Sequence, residues 1–107
     1  MLTQEHIQAA VRRIVNAAHA PTKVILFGSY ARGDADEESD LDLMIIQKEI
    51  PNYTEEYLHL RDTLRSIGVG VDLLMYPESE FDKRRDWCAT PVYWAVREGK
   101  VLYDAAA

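Results

Sequence analysis

Apolar residues near the start of the chain fall at Ile7, Ala10, Val11, Ile14, Val15 and Ala18. These intervals of three and four are helical, so the spacing predicts an amphipathic helix over about residues 4–19, closed ahead of Pro21. The period then changes. Lys23–Phe27 is a short apolar, β-branched run stopped by Gly28, the pattern of a buried strand. A polar stretch over 29–39 leads into a second apolar run, Asp40–Gln47, which breaks at Pro51-Asn52.

Asn52 and Glu55 have capping-box spacing and open a predicted helix over about 53–67, with Tyr57, Leu60, Leu64 and Ile67 on one face and Gly68 as its stop. Val69–Tyr76 reads as a third strand bounded by Pro77, followed by a helix over about 78–88 whose apolar periodicity is thin. Thr90-Pro91 supplies an N-cap and a first-turn proline for a helix to Glu98, and Val101–Tyr103 reads as a last short strand. Strands interleaved with helices indicate an α/β fold, and 107 residues are enough for one domain, 1–107.

Composition narrows the field of functions. Twelve Lys+Arg against 18 Asp+Glu leave a net charge of −6, which argues against a general nucleic-acid binder. Cys88 is the only cysteine, so no intramolecular disulfide forms, and a lone thiol suits a reducing compartment. No apolar run approaches the roughly 20 residues that span a bilayer. The start, Met1-Leu2-Thr3-Gln4-Glu5, lacks the basic and apolar segments of a signal peptide. The expectation is a cytoplasmic protein that engages no membrane.

The chemistry concentrates between Gly28 and Asp72. Strand alternation puts Asp40 and Asp42 on one face, about 7 Å apart along the backbone, with Leu41, Leu43 and Ile45 on the other. Asp72 interrupts the third strand in the same manner and lies beside the pair if the two strands are neighbours. At ~4 Å and an effective dielectric of ~20, each like-charge pair costs about 4 kcal/mol. Either some of these carboxyls hold protons, or divalent cations sit among them, and hard oxygen donors suit Mg²⁺ or Mn²⁺. The Gly28-Ser29 corner offers backbone N–H groups and a hydroxyl to terminal phosphates, and Arg32 adds a charge-assisted contact. The loop carries no lysine, so it is not a Walker P-loop. A Gly-Ser turn or an Asp-x-Asp alone is commonplace; their ordered combination on two apolar strands is not.

Gly28-Ser29, ten intervening residues with Ala31-Arg32-Gly33 among them, then Asp40-x-Asp42, resembles the signature of the polymerase-β-like nucleotidyltransferase superfamily. More narrowly, Ser39-Asp40-Leu41-Asp42-Leu43 and the ending Tyr93…Arg97-Glu98-Gly99-Lys100-Val101-Leu102-Tyr103 resemble the minimal nucleotidyltransferase (MNT) antitoxins that partner HEPN-domain toxins. The resemblance implies a small mixed sheet packed with helices, with the Asp-x-Asp strand central. It implies that Asp40, Asp42 and Asp72 hold two Mg²⁺ ions (or Mn²⁺), with Asp72 serving the metal that activates the acceptor hydroxyl and acting as base. Gly28 and Ser29 would hold the β- and γ-phosphates of ATP, and Arg32 would contact phosphate or acceptor.

The implied reaction moves AMP from ATP to a tyrosine on a HEPN RNase toxin, within a hetero-oligomer. Many larger relatives carry an extra helical domain, whereas only about 30 residues follow the third strand here, so a partner is expected to complete the site. Two other readings stand beside this one: an antitoxin acting by stoichiometric binding without catalysis, and a nucleotidyltransferase for a small molecule or an RNA end.

Outside this constellation, Trp87 and Trp94 are expected to pack the C-terminal helices onto the sheet, with one as an alternative interface anchor. Cys88 is read as a small buried hydrophobe. Lys83, Arg84 and Arg85 read as a solvated helix face, or as a contact to a partner or to phosphate. Tyr30 either shapes the site or closes the turn, and Tyr76 is either rim packing or a stacking surface for a base. His6, His19 and His59 have no metal-ligand spacing.

Overall fold

The computed structural model describes residues 1–107 and is organised around the strand that carries the Asp-x-Asp sequence. Along the chain the elements are α1 (Gln4–Ala17), β1 (Pro21–Phe27), α2 (Ser29–Arg32), β2 (Leu41–Gln47), α3 (Tyr53–Thr63), β3 (Val71–Pro77), α4 (Glu78–Arg84), α5 (Pro91–Glu98) and β4 (Lys100–Asp104). One mixed sheet has the order β3-β2-β1-β4. The β1 strand runs antiparallel to both β2 and β4, while β2 and β3 are parallel, joined through α3.

Burial on both faces explains why β2 is so uniformly apolar. Leu41, Leu43 and Ile45 point into a core shared with Ile7, Ala10, Val11 and Ile14 of α1 and Leu60 of α3. Met44 and Ile46 point the other way, against Phe81 of α4 and Val92 and Ala95 of α5. No helix is long and apolar enough to cross a membrane.

Element ends depart from the sequence expectation for identifiable reasons. Thr3 caps α1 by accepting from the His6 N–H at 3.2 Å, while His6 Nδ1 accepts the Thr3 N–H at 3.4 Å. A histidine thus fills the position where a capping box ordinarily carries Glu or Gln. Asn52 caps α3 through the Glu55 N–H at 3.0 Å, as predicted. That helix stops at Thr63, short of the predicted 67, because Leu64 and Ile67 continue the apolar face from tight turns rather than from helix. Likewise α4 ends at Arg84 instead of about 88, and Thr90 fixes the link to α5 by donating to the carbonyls of Arg84 and Trp87.

Three expectations about the C-terminal layer are corrected. Trp87 and Trp94 do not pack onto the sheet; they are 60% and 51% exposed. The inward face of α5 is filled by Val92, Ala95 and Val96, which leaves Trp94 on the outer flank with its Nε1 donating to the Cys88 carbonyl at 3.0 Å. Cys88 is exposed rather than buried.

One buried polar side chain ties the far end of β2 to its surroundings. Gln47 accepts the Ala20 N–H at 2.8 Å and donates to Glu56 at 2.7 Å, and Glu56 also accepts the His19 N–H at 2.8 Å.

Candidate active site

The acidic residues gather at the end of the sheet where β2 and β3 begin and β1 finishes. The parallel register sets Asp42 directly beside Asp72, and the antiparallel one sets Phe27 beside Asp42. Asp42 shares its face with Met44 and Ile46, so the acidic pair lies at the rim of the layer that α4 and α5 cover farther along. Asp42 is half-buried, whereas Asp72 and Asp40 are exposed. Asp40 just precedes the strand, with Leu41 as the first paired residue, and its neighbour across the sheet is Gly70, whose carbonyl accepts the Leu41 N–H at 2.8 Å.

This crowding leaves an electrostatic signature. Burial, then the charge of Asp72 and a hydrogen bond with it, then the charge of Asp40, push the Asp42 carboxyl from its ordinary 3.8 up to about 6. Arg32 acts in the opposite direction, which places its guanidinium within electrostatic reach of the site. Arg32 is itself exposed, with Nε 3.3 Å from Asp34 Oδ2.

Gly28 makes the turn beside Asp42 possible in two ways. Its φ of +73° lies in the region that glycine tolerates and other residues resist. A Cβ at this position would also fall onto Oδ2 of Asp42. The chain then enters α2 at Ser29, and the Gly28 carbonyl accepts the N–H groups of Ala31 and Arg32, both at 3.1 Å.

The connection into Asp40 is held by a turn that sequence reasoning passed over. Asp36 Oδ1 accepts the Glu38 N–H at 2.9 Å and the Ser39 hydroxyl at 3.2 Å, and Ser39 Oγ accepts the Asp36 N–H at 2.9 Å. The Asp-x-x-Ser spacing was a readable signal for it.

Two aromatic alternatives are resolved. The Tyr30 hydroxyl accepts the Leu2 N–H at 3.1 Å and packs against the α1 core, so it ties the turn to the N-terminal segment and does not shape the acidic pair. Tyr76 pairs with Ile46 at the opposite end of β3 from Asp72, with the Arg84 guanidinium 5.4 Å from its ring centre. It is a packing residue. Lys83 and Arg84 pair with Glu80 on their own helix, as a solvated face would.

No three His, Cys, Asp or Glu side chains converge into a ready-made metal cage. The donor set still fits a divalent cation, because Mg²⁺ is ordinarily held by one or two carboxylates together with substrate phosphates. Two juxtaposed carboxyls, one of them unable to ionise easily beside the other, are relieved by such a charge.

Comparison with known proteins identifies the family of the chain. Residues 9–90, a stretch that contains Gly28, Ser29, Arg32, Asp40, Asp42 and Asp72, match the nucleotidyltransferase domain family. MJ0604 of Methanocaldococcus jannaschii, whose name proposes a protein adenylyltransferase, is 34% identical over 101 residues, covering 90% of this chain and 97% of that protein. The protein adenylyltransferase MntA of Thermococcus cleftensis is 34% identical over 79 residues, covering 70% of this chain and 79% of its own. Among solved structures, a complex of tri-AMPylated Shewanella oneidensis HEPN toxin with MNT antitoxin contains a chain that superposes with a TM-score of 0.67 at 14% identity, covering 98% of this chain and 75% of that one. Sequence over most of its length and the arrangement of its sheet agree: the chain belongs to the nucleotidyltransferase domain family.

Proposed function

We propose that this protein transfers AMP from ATP to a tyrosine of a HEPN-type toxin and thereby acts as its antitoxin. The observation that carries the reading is Asp42 set against Asp72 across a parallel ladder, with Gly28 and Ser29 at the adjoining turn. The names of the relatives and of the structural neighbour support the choice of AMP as the group moved and of a protein as acceptor.

In this reading Asp40, Asp42 and Asp72 hold two Mg²⁺ ions, which supply charge neutralisation for the triphosphate and a lowered pKa for the acceptor hydroxyl. The turn at Gly28-Ser29 orients the β- and γ-phosphates, and Arg32 reaches the same region from the end of α2. The tyrosyl oxygen attacks the α-phosphorus in line. A new P–O bond forms to the tyrosine, the bond to the β-phosphate oxygen breaks, and pyrophosphate departs. Asp72 is exposed at the open side of the site, where it takes the proton from the incoming hydroxyl. The Asp42 carboxyl, raised to about 6, is mostly ionised at neutral pH, and a neighbouring cation would favour that form further.

The test incubates the protein with ATP labelled at the α-phosphate, Mg²⁺ and the toxin encoded beside it. Label is expected on a toxin tyrosine, with the toxin's RNase activity lost, and Asp42→Ala is expected to reduce labelling by at least about 100-fold. Neutralisation without any label transfer would refute catalysis and leave stoichiometric binding as the function.

A further inference from the structure

We propose that Gly70 is a positioning residue for Asp40: the missing side chain at position 70 is the seat that the Asp40 carboxylate occupies. The inference deepens the nucleotidyltransferase reading and rests on it for its functional consequence. Its starting point is the parallel ladder, in which Leu41 pairs with Val71 and Asp42 with Asp72, so Gly70 lies beside Asp40 one step ahead. A Cβ on Gly70 would fall onto Oδ1 of Asp40 and within 3.0 Å of its Cγ. The three nearest atoms to that Cβ all belong to Asp40.

Nothing else about position 70 requires glycine. Its φ is not positive, unlike those of Gly28, Gly33 and Gly68, so alanine fits the backbone without strain. The contrast with Gly28 is informative, because there a left-handed φ and the Asp42 side chain both exclude a Cβ. At Gly70 only the carboxylate does.

Each acid of the Asp-x-Asp sequence therefore occupies the place of a side chain that a neighbouring glycine lacks. Asp42 reaches into the space left by Gly28 at the end of β1, and Asp40 into the space left by Gly70 ahead of β3. Asp40 is exposed, so a methyl group at 70 would turn it out toward solvent at little cost to the fold. The loss falls on the geometry of the donors, not on stability.

A double-mutant cycle tests this with Gly70→Ala, Asp40→Asn and the two combined, in the full chain. Binding of Mg²⁺ with a non-hydrolysable ATP analogue is measured by calorimetry, thermal unfolding is recorded alongside, and Gly70→Ala is crystallised. Gly70→Ala is expected to weaken binding by about 10-fold or more, with an almost unchanged melting temperature. In the Asp40→Asn background the same substitution is expected to change binding by less than about 2-fold. Equal losses in both backgrounds would overturn the proposal, as would a Gly70→Ala crystal structure with the Asp40 carboxylate unmoved. If the parent protein binds no nucleotide, the function proposed above fails, while the rotamer of Asp40 in that crystal structure still decides whether Gly70 is its seat.

Discussion

Replacing Asp42 by asparagine should stabilise the ligand-free protein at neutral pH while disabling its site. The folded Asp42 carboxyl titrates at about 6 against an ordinary 3.8. Between those values the folded chain keeps a proton that the unfolded chain has released. Folded protein then binds more protons, so stability falls as pH rises through this window, and the penalty is complete above about pH 6. At 1.36 kcal/mol per pH unit the difference corresponds to at most about 3 kcal/mol. Asp42 is only half-buried, and Asp40 and Asp72 are exposed, so water screens the like-charge part; about 1–2 kcal/mol is the realistic gain.

Urea unfolding in EDTA, run from about pH 4 to about pH 8, measures it directly. The parent should lose stability across the window and Asp42→Asn should not, so the two curves diverge toward high pH. In thermal melts each kcal/mol corresponds to roughly 4–8 °C. Saturating Mg²⁺ with ATP should erase the variant's advantage, because only the parent gains from binding. An Asp42→Asn protein that is less stable than the parent at about pH 8, or that shows the same pH slope, would refute the account of strained carboxyls.

Two further outcomes follow from neighbouring features. Gly28→Ala should lower stability by about 1–3 kcal/mol in chemical denaturation, since it joins a left-handed φ to a collision with Asp42, and an unchanged midpoint would contradict this. Gln47→Leu should cost about 2–4 kcal/mol by the same measurement, because it strips the Ala20 N–H and Glu56 of a buried partner; a loss below about 0.5 kcal/mol would show that water replaces the amide.

The strands were legible because the hydrophobic period switches so sharply at Pro21 and again at Ser39, and β2 betrayed its central place by being apolar on both faces. The acidic residues were legible for a related reason: Asp42 and Asp72 each interrupt a run whose other members are buried or half-buried. What the linear pattern does not encode is pairing. That Asp42 meets Asp72, and that Gly70 lies beside Asp40, depends on β2 and β3 being parallel and in one register. Trp94 is exposed because Val92, Ala95 and Val96 already fill the inward face of α5, and Trp87 lies beyond the end of α4 at Arg84, in the link where no helix face directs it inward. The end of α3 was misplaced because Leu64 and Ile67 keep apolar contacts after the helix has ended, and periodicity cannot separate a turn from a further helical one.

The parallel pairing of β2 and β3 also carries a consequence for biosynthesis. Gly28 arrives with the first hairpin, which forms from neighbours in sequence, but Asp72 reaches Asp42 only after α3 has crossed over and the edge strand has docked. Such non-local pairing forms late, since the intervening chain must be ordered before the contact exists. On the function proposed above, a chain still emerging from the ribosome has no reaction centre until β3 has cleared the exit and closed the ladder. In that reading competence to react reports that the sheet is finished, and a copy that ends before β3 lacks Asp72 and with it the assembled centre.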